Sequence, residues 1–160
     1  MSISIPAFHV SDQSEVKGAG DVFIASRKSG TTSGIFSVKI AAHFNPPDPY
    51  PVGQLTIKVD LSDGAQGAFS ATSIELINSY GKHNPTVFMT GQCKGDLSTA
   101  GVPAPQGLRY WLMIADNSRD GASHEGTPDI VGFAVHDRNG NRVAYGTGPV
   151  KSGDFKVAPK

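Results

Sequence analysis

The residues best equipped for chemistry stand together in Asp116-Asn117-Ser118-Arg119-Asp120-Gly121, where oxygen-bearing side chains take alternate positions and a glycine follows. Calcium takes about six to eight oxygen ligands. Alternate residues of a tight loop bring three of them to one side, and glycine permits the reversal. The place where such a loop expects its closing glutamate is Thr127, so Glu125 or Asp129 must supply the missing carboxylate. The expected metal ligands are therefore Asp116, Ser118, Asp120, Glu125 and Asp129, with calcium as the cofactor. The competing reading is a structured loop whose Asp, Asn and Ser side chains cap their own backbone.

Other catalytic patterns are missing: the sequence has no GxSxG, HExxH or P-loop motif. Cys93 alternates in phase with Val87 and Met89, which marks a buried structural thiol rather than a nucleophile. His9, His43, His83, His124 and His136 are scattered singly, with no metal-ligand spacing on one strand face. Asp60 and Glu75 are the only acids well inside expected strands, and a solvated face is the default for both. A carbohydrate site wants an exposed aromatic beside planar polar groups, and Tyr50, Tyr80 and Trp111 are the candidates. Tyr50, held among prolines, is the better exposed platform. Trp111 lies in the most apolar segment and is expected in the core.

The elements that must position these residues are strands. Phe36, Val38, Ile40, Ala42 and Phe44 fall on one face of a segment whose other face carries Ser37, Lys39 and His43. Leu55, Ile57, Val59 and Leu61 repeat the rule. Further strands are expected at 22–25 after a Gly18-Ala19-Gly20 break, at 69–77, 87–93, 108–115, 130–135, 142–145 and 154–157. The segment 108–115 is apolar on both faces, so it is expected to be covered on each side. Asn139-Gly140 predicts a tight hairpin with both central residues at positive φ. Asn45 to Pro51, with four prolines, predicts a stiff extended loop. No segment keeps a helical period over three turns; a short helix near Ser73–Ile77 is the alternative to a strand there. The fold class is all-β, an antiparallel β-sandwich or flattened β-barrel of about eight to ten strands, with residues 1–160 forming a single domain.

Composition narrows the function classes. Fourteen basic and fourteen acidic residues cancel among 160, which argues against nucleic acid as a partner. One cysteine excludes an intrachain disulfide framework. No apolar run is long enough for a spanning helix, and Met1-Ser2-Ile3 opens no secretory signal.

Several pieces in order carry a resemblance: Val16-Lys17-Gly18-Ala19-Gly20, Pro51-Val52-Gly53-Gln54-Leu55-Thr56-Ile57, Thr90-Gly91-Gln92-Cys93, Met113-Ile114-Ala115-Asp116-Asn117, and Pro128-Asp129-Ile130-Val131-Gly132-Phe133 followed by Val143-Ala144-Tyr145. Together they resemble the post-COAP-1 modules of bacterial surface and secreted proteins. Ser118 and Ile130-Val131 depart from that pattern. The resemblance implies a non-catalytic, extracellular or cell-surface module.

The sequence thus points to a non-catalytic binding or structural β module, adhesive or glycan-contacting and stabilised by calcium, whose partner is a glycan or a protein surface. The alternative is a small β-barrel enzyme, an isomerase or cyclase, acting on an apolar molecule in the barrel interior with Asp60, Arg109, Tyr110 or His136 facing inward. A third reading is a homo-oligomer joined through an unpaired strand edge.

Overall fold

The computed structural model describes residues 13–24, 34–45, 48–61, 66–81, 84–97, 107–117 and 128–159. Two-residue alternation over these stretches yields nine strands: β1 (Ser14–Ile24), β2 (Gly34–Phe44), β3 (Val52–Leu61), β4 (Gln66–Ala71), β5 (Leu76–Tyr80), β6 (Thr86–Leu97), β7 (Arg109–Ala115), β8 (Ile130–His136) and β9 (Arg142–Pro159). Every pairing is antiparallel. The order β4-β3-β2-β1-β9-β8-β7-β6 closes into a barrel because β4 also pairs with β6, and β5 is an extra strand on β6. No described residue is helical, so no described helix is long and apolar enough to cross a membrane.

Two strands turn the corners. Arg142–Pro149 of β9 pairs with β8, whereas Val150–Pro159 pairs with β1. Thr86–Gln92 of β6 pairs with β7, and Cys93–Leu97 with β4. Strands that pass from one sheet to the other in this way flatten a barrel into two packed sheets. Phe36 of β2 meets Phe133 of β8 across the gap, ring centroids 4.6 Å apart. Phe69, Tyr110, Phe155, Ile57 and Met89 fill the same interior. The Tyr110 hydroxyl donates to the Ser73 carbonyl at 2.9 Å, so the one phenol buried in this core is satisfied.

The chain from β4 to β5 is where sequence and structure differ most. One strand over 69–77 is expected; instead β4 ends at Ala71 and β5 starts at Leu76. Between them Thr72 and Ser73 donate to the Gln92 carbonyl and Glu75 to that of Thr90. Gly91 lies beneath this bend: a Cβ there would come within 2.1 Å of the Ser73 carbonyl oxygen, so only glycine lets the two backbones approach. The segment is neither helix nor continuous strand because its amides bond to β6 with an irregular step.

Other corrections follow from pairing. The glycines at 18 and 20 do not interrupt β1, which runs through them on β2; its irregularity is a register shift against β9 between Asp21 and Val22. The two short strands expected at 142–145 and 154–157 are one, β9. In the β8–β9 hairpin only Gly140 has positive φ, 82°, and Asn139 does not. The Asp137 amide donates to the Asn141 carbonyl, so the connection is longer than a two-residue turn. The proline-rich connection contains a turn, with the Asp48 amide donating to the Asn45 carbonyl.

Candidate functional site

The outward face of β5–β9 carries three cross-strand rows. The first runs Leu76–Thr90–Trp111–Ala134–Tyr145, the second Asn78–Phe88–Met113–Gly132–Thr147 and the third Tyr80–Thr86–Ala115–Ile130–Pro149. None of these residues is an acid, a lysine, an arginine or a histidine. Large apolar side chains nevertheless stand in solvent here: Trp111 is 53% exposed, Tyr80 54%, Tyr145 49% and Phe88 40%. Scattered apolar residues on a surface need no explanation, but a contiguous patch does.

A groove of about 670 Å³ lies on this face, an open trough lined by Tyr80, Phe88, Trp111, Met113, Asn78 and Thr147 among others. The Tyr80 and Phe88 rings stack with centroids 6.1 Å apart and planes at 25°. Tyr145 lies in the first row beyond Ala134, with the Arg142 guanidinium 4.6 Å above its ring. Charge begins only at the next row out, Gln92–Arg109–His136–Arg142. There the Arg109 guanidinium donates to both Glu75 oxygens, the second contact at 3.2 Å. That hydrogen bond to Glu75, more than their charge attraction, raises the Arg109 pKa. The trough is therefore bordered at one end by planar groups, among them the bidentate Arg109–Glu75 pair.

Trp111 corrects the sequence expectation. Its strand, β7, alternates after all: Tyr110, Leu112 and Ile114 point inward, and Trp111 and Met113 point out. The segment reads as apolar on both faces because its outer face is the groove, not because a second layer covers it. Tyr80 joins the same groove. Tyr50 is more exposed than either, at 70%, but lies in the β2–β3 connection and does not line it. Sequence reasoning missed Phe88 and Tyr145; their out-of-phase placement against Val87, Met89 and Ala144 was the available signal.

A second cluster gathers Asp116, Asp129 and Asp154, with one carboxylate oxygen from each within 4.8 Å of the others. Asp116 and Asp129 are buried and Asp154 is exposed. β8 begins at Ile130 opposite Pro149, whereas β9 continues to Pro159, and the Asp116 and Asp129 carboxylates bond β9 amides where β8 no longer pairs. Asp129 accepts from the Phe155 amide at 3.1 Å and from the Asn117 amide at 3.0 Å; Asp116 accepts from the Val157 amide at 3.1 Å. Side-chain oxygens thus take the place of a missing strand. The same oxygens are the donor set a hard cation takes. Of the expected metal ligands, Asp116 and Asp129 come together, Ser118, Asp120 and Glu125 lie outside the described residues, and Asp154 is an addition that no local spacing signals.

The remaining groups offer little reactivity. Cys93 is buried, and desolvation pushes its thiol up to about 11. Asp60 is exposed, and Arg109 and His136 lie on outward rows, so of the polar residues expected inside the barrel only Tyr110 is there. Burial pushes the Tyr110 phenol above its ordinary value. His43 belongs to the row with Glu15 and Val52, on a different sheet from His136. No known family model, curated protein or solved structure matches the chain.

Proposed function

We propose that this protein is a non-catalytic binding module that holds a neutral glycan on the outward face of β5–β9. The observation that carries the reading is the uncharged face itself, with Trp111, Tyr80 and Phe88 exposed in one trough. A pyranose has a C–H face that stacks on an aromatic ring and a rim of hydroxyls that needs hydrogen bonds. Asn78 and Thr147 in the trough, with Gln92, Arg109 and Glu75 at its border, are suitable partners. An open trough suits a ligand that stacks on one side and stays wet on the other, whereas an apolar small molecule prefers a site enclosing about 70–90% of its surface.

Dimensions favour a ligand over a second copy. Five strands at about 4.8 Å and three rows at about 6.8 Å give roughly 500 Å². A stable interface buries about 800 Å² on each partner, while functional patches on monomers reach about 300–600 Å². The large side chains filling the interior, and the outward placement of Arg109, Asp60 and His136, weigh against an enzyme acting inside the barrel. Calcium enters only as a stabiliser at Asp116, Asp129 and Asp154, supported by their spacing alone; unfolding temperatures in calcium and in chelator test it. Display outside the cell, which the post-COAP-1 resemblance implies, is where such a face meets glycans.

The test is calorimetric titration with neutral oligosaccharides, repeated on Trp111→Ala. Loss of about tenfold in affinity is expected, since about 50 Å² of apolar contact is removed. A wild type that binds no neutral glycan, or a dimer that Trp111→Ala dissociates in sedimentation, would overturn the reading.

A further inference from the structure

We infer that the face takes the interior of an extended glycan chain rather than a terminal sugar, an inference that rests on the glycan-binding reading. Four aromatic side chains form a diagonal across the sheet: Tyr145 on β9, Trp111 on β7, Phe88 on β6 and Tyr80 on β5. Sheet geometry sets their spacing. Tyr145 and Trp111 share a row two strands apart, about 10 Å. Trp111 and Phe88 differ by one strand and two residues, about 8 Å along the diagonal, and the Tyr80 ring stacks on Phe88 with centroids 6.1 Å apart. Each interval exceeds one sugar ring, so a monosaccharide reaches one platform, and only a chain reaches all four. The track runs about 25 Å.

Two further features fit a chain. Ala134 lies between Trp111 and Tyr145, so nothing bulky blocks the passage from one ring to the next. No side chain of the three rows is charged, so the track from Trp111 to Tyr80 presents neither an attraction for a polyanionic chain nor a cost to a neutral one. Arg142, stacked on Tyr145, is the first charge that a chain running off this end would meet.

The experiment uses the whole chain and three neutral ladders, cello-, xylo- and manno-oligosaccharides, each from disaccharide to hexasaccharide. In the series bound, affinity rises at least about tenfold along the ladder. Tyr145→Ala lowers hexasaccharide affinity about tenfold and leaves the disaccharide within about twofold, because a short ligand occupies Trp111 and Phe88 first. Tyr145→Phe keeps the ring and stays near wild type. Tyr145 is half exposed, and matching unfolding temperatures establish that these variants fold. Affinity that levels off at the disaccharide, or a Tyr145→Ala loss equal at both lengths or absent at both, overturns the extended chain while leaving glycan binding intact. Failure of every ladder overturns both.

Discussion

The two outward faces of this barrel were built by the same rule and differ in charge. On β1–β4 and the second half of β9 the outward rows are dominated by Glu15, Lys17, Asp21, Lys39, Lys58, Asp60, Asp154 and Lys156, with Phe23, Ile35 and Val52 exposed among them. On β5–β8 and the first half of β9 three successive rows carry no charge, and aromatic rings take the place of lysines. Both faces back onto the same apolar interior, so neither composition is needed to form the core. A solvated strand face of mixed charge is what solubility asks for; an aromatic one exposes apolar area to water and is retained for a partner. The difference therefore separates what the barrel needs in order to fold from what it needs in order to bind.

The comparison breaks most completely at the seam that joins the faces. Asp129→Ala removes the acceptor of the Phe155 and Asn117 amides, and Phe155 belongs to the second half of β9. Leaving such amides unsatisfied costs about 1–3 kcal/mol each, so thermal unfolding is expected to drop by about 10 °C. A shift of only a degree or two would mean that the carboxylate does not hold the edge. Charge tests the faces themselves. Ala134→Lys plants a cation between Trp111 and Tyr145 and is expected to weaken oligosaccharide binding about tenfold. Lys39→Ala on the other face should leave it within about twofold, and equal effects would erase the distinction between the two.

The smallest effect concerns the hairpin at the end of the uncharged sheet. Asp137 accepts from the Asn141 and Asn139 amides, and these hydrogen bonds, that of Asn141 first, hold its carboxyl below the usual carboxylate range. A lowered folded-state pKa contributes stability above the unfolded value of about 3.9, lost as pH falls through the folded one. Wild type and Asp137→Ala should accordingly differ slightly in unfolding temperature at neutral pH and converge in acid. A difference that widens in acid would contradict the sign.

Much of the fold was legible because strands have a period of two, and β2, β3 and β8 sit where their alternation places them. The site was legible only in part. Tyr80 and Trp111 stand out as aromatics, but Trp111 reads as core in a segment whose neighbours on both sides are apolar. Period two says that Tyr110 and Trp111 face opposite ways without saying which faces inward. The joined strand expected over 69–77 fails for a different reason. Its break depends on where Gly91 of another strand lets Ser73 approach, and no local pattern contains that contact.

By itself the sequence determined the class of structure: short apolar alternations punctuated by glycine and proline have no way to bury themselves except as sheets. It also determined that no dense charge, disulfide framework or standard catalytic motif is present. Tertiary structure alone decided that Tyr80, Phe88, Trp111 and Tyr145 share one face, and that Asp154 joins Asp116 and Asp129. Those groupings arise from register between strands up to tens of residues apart, a long-range property set by how the whole barrel closes.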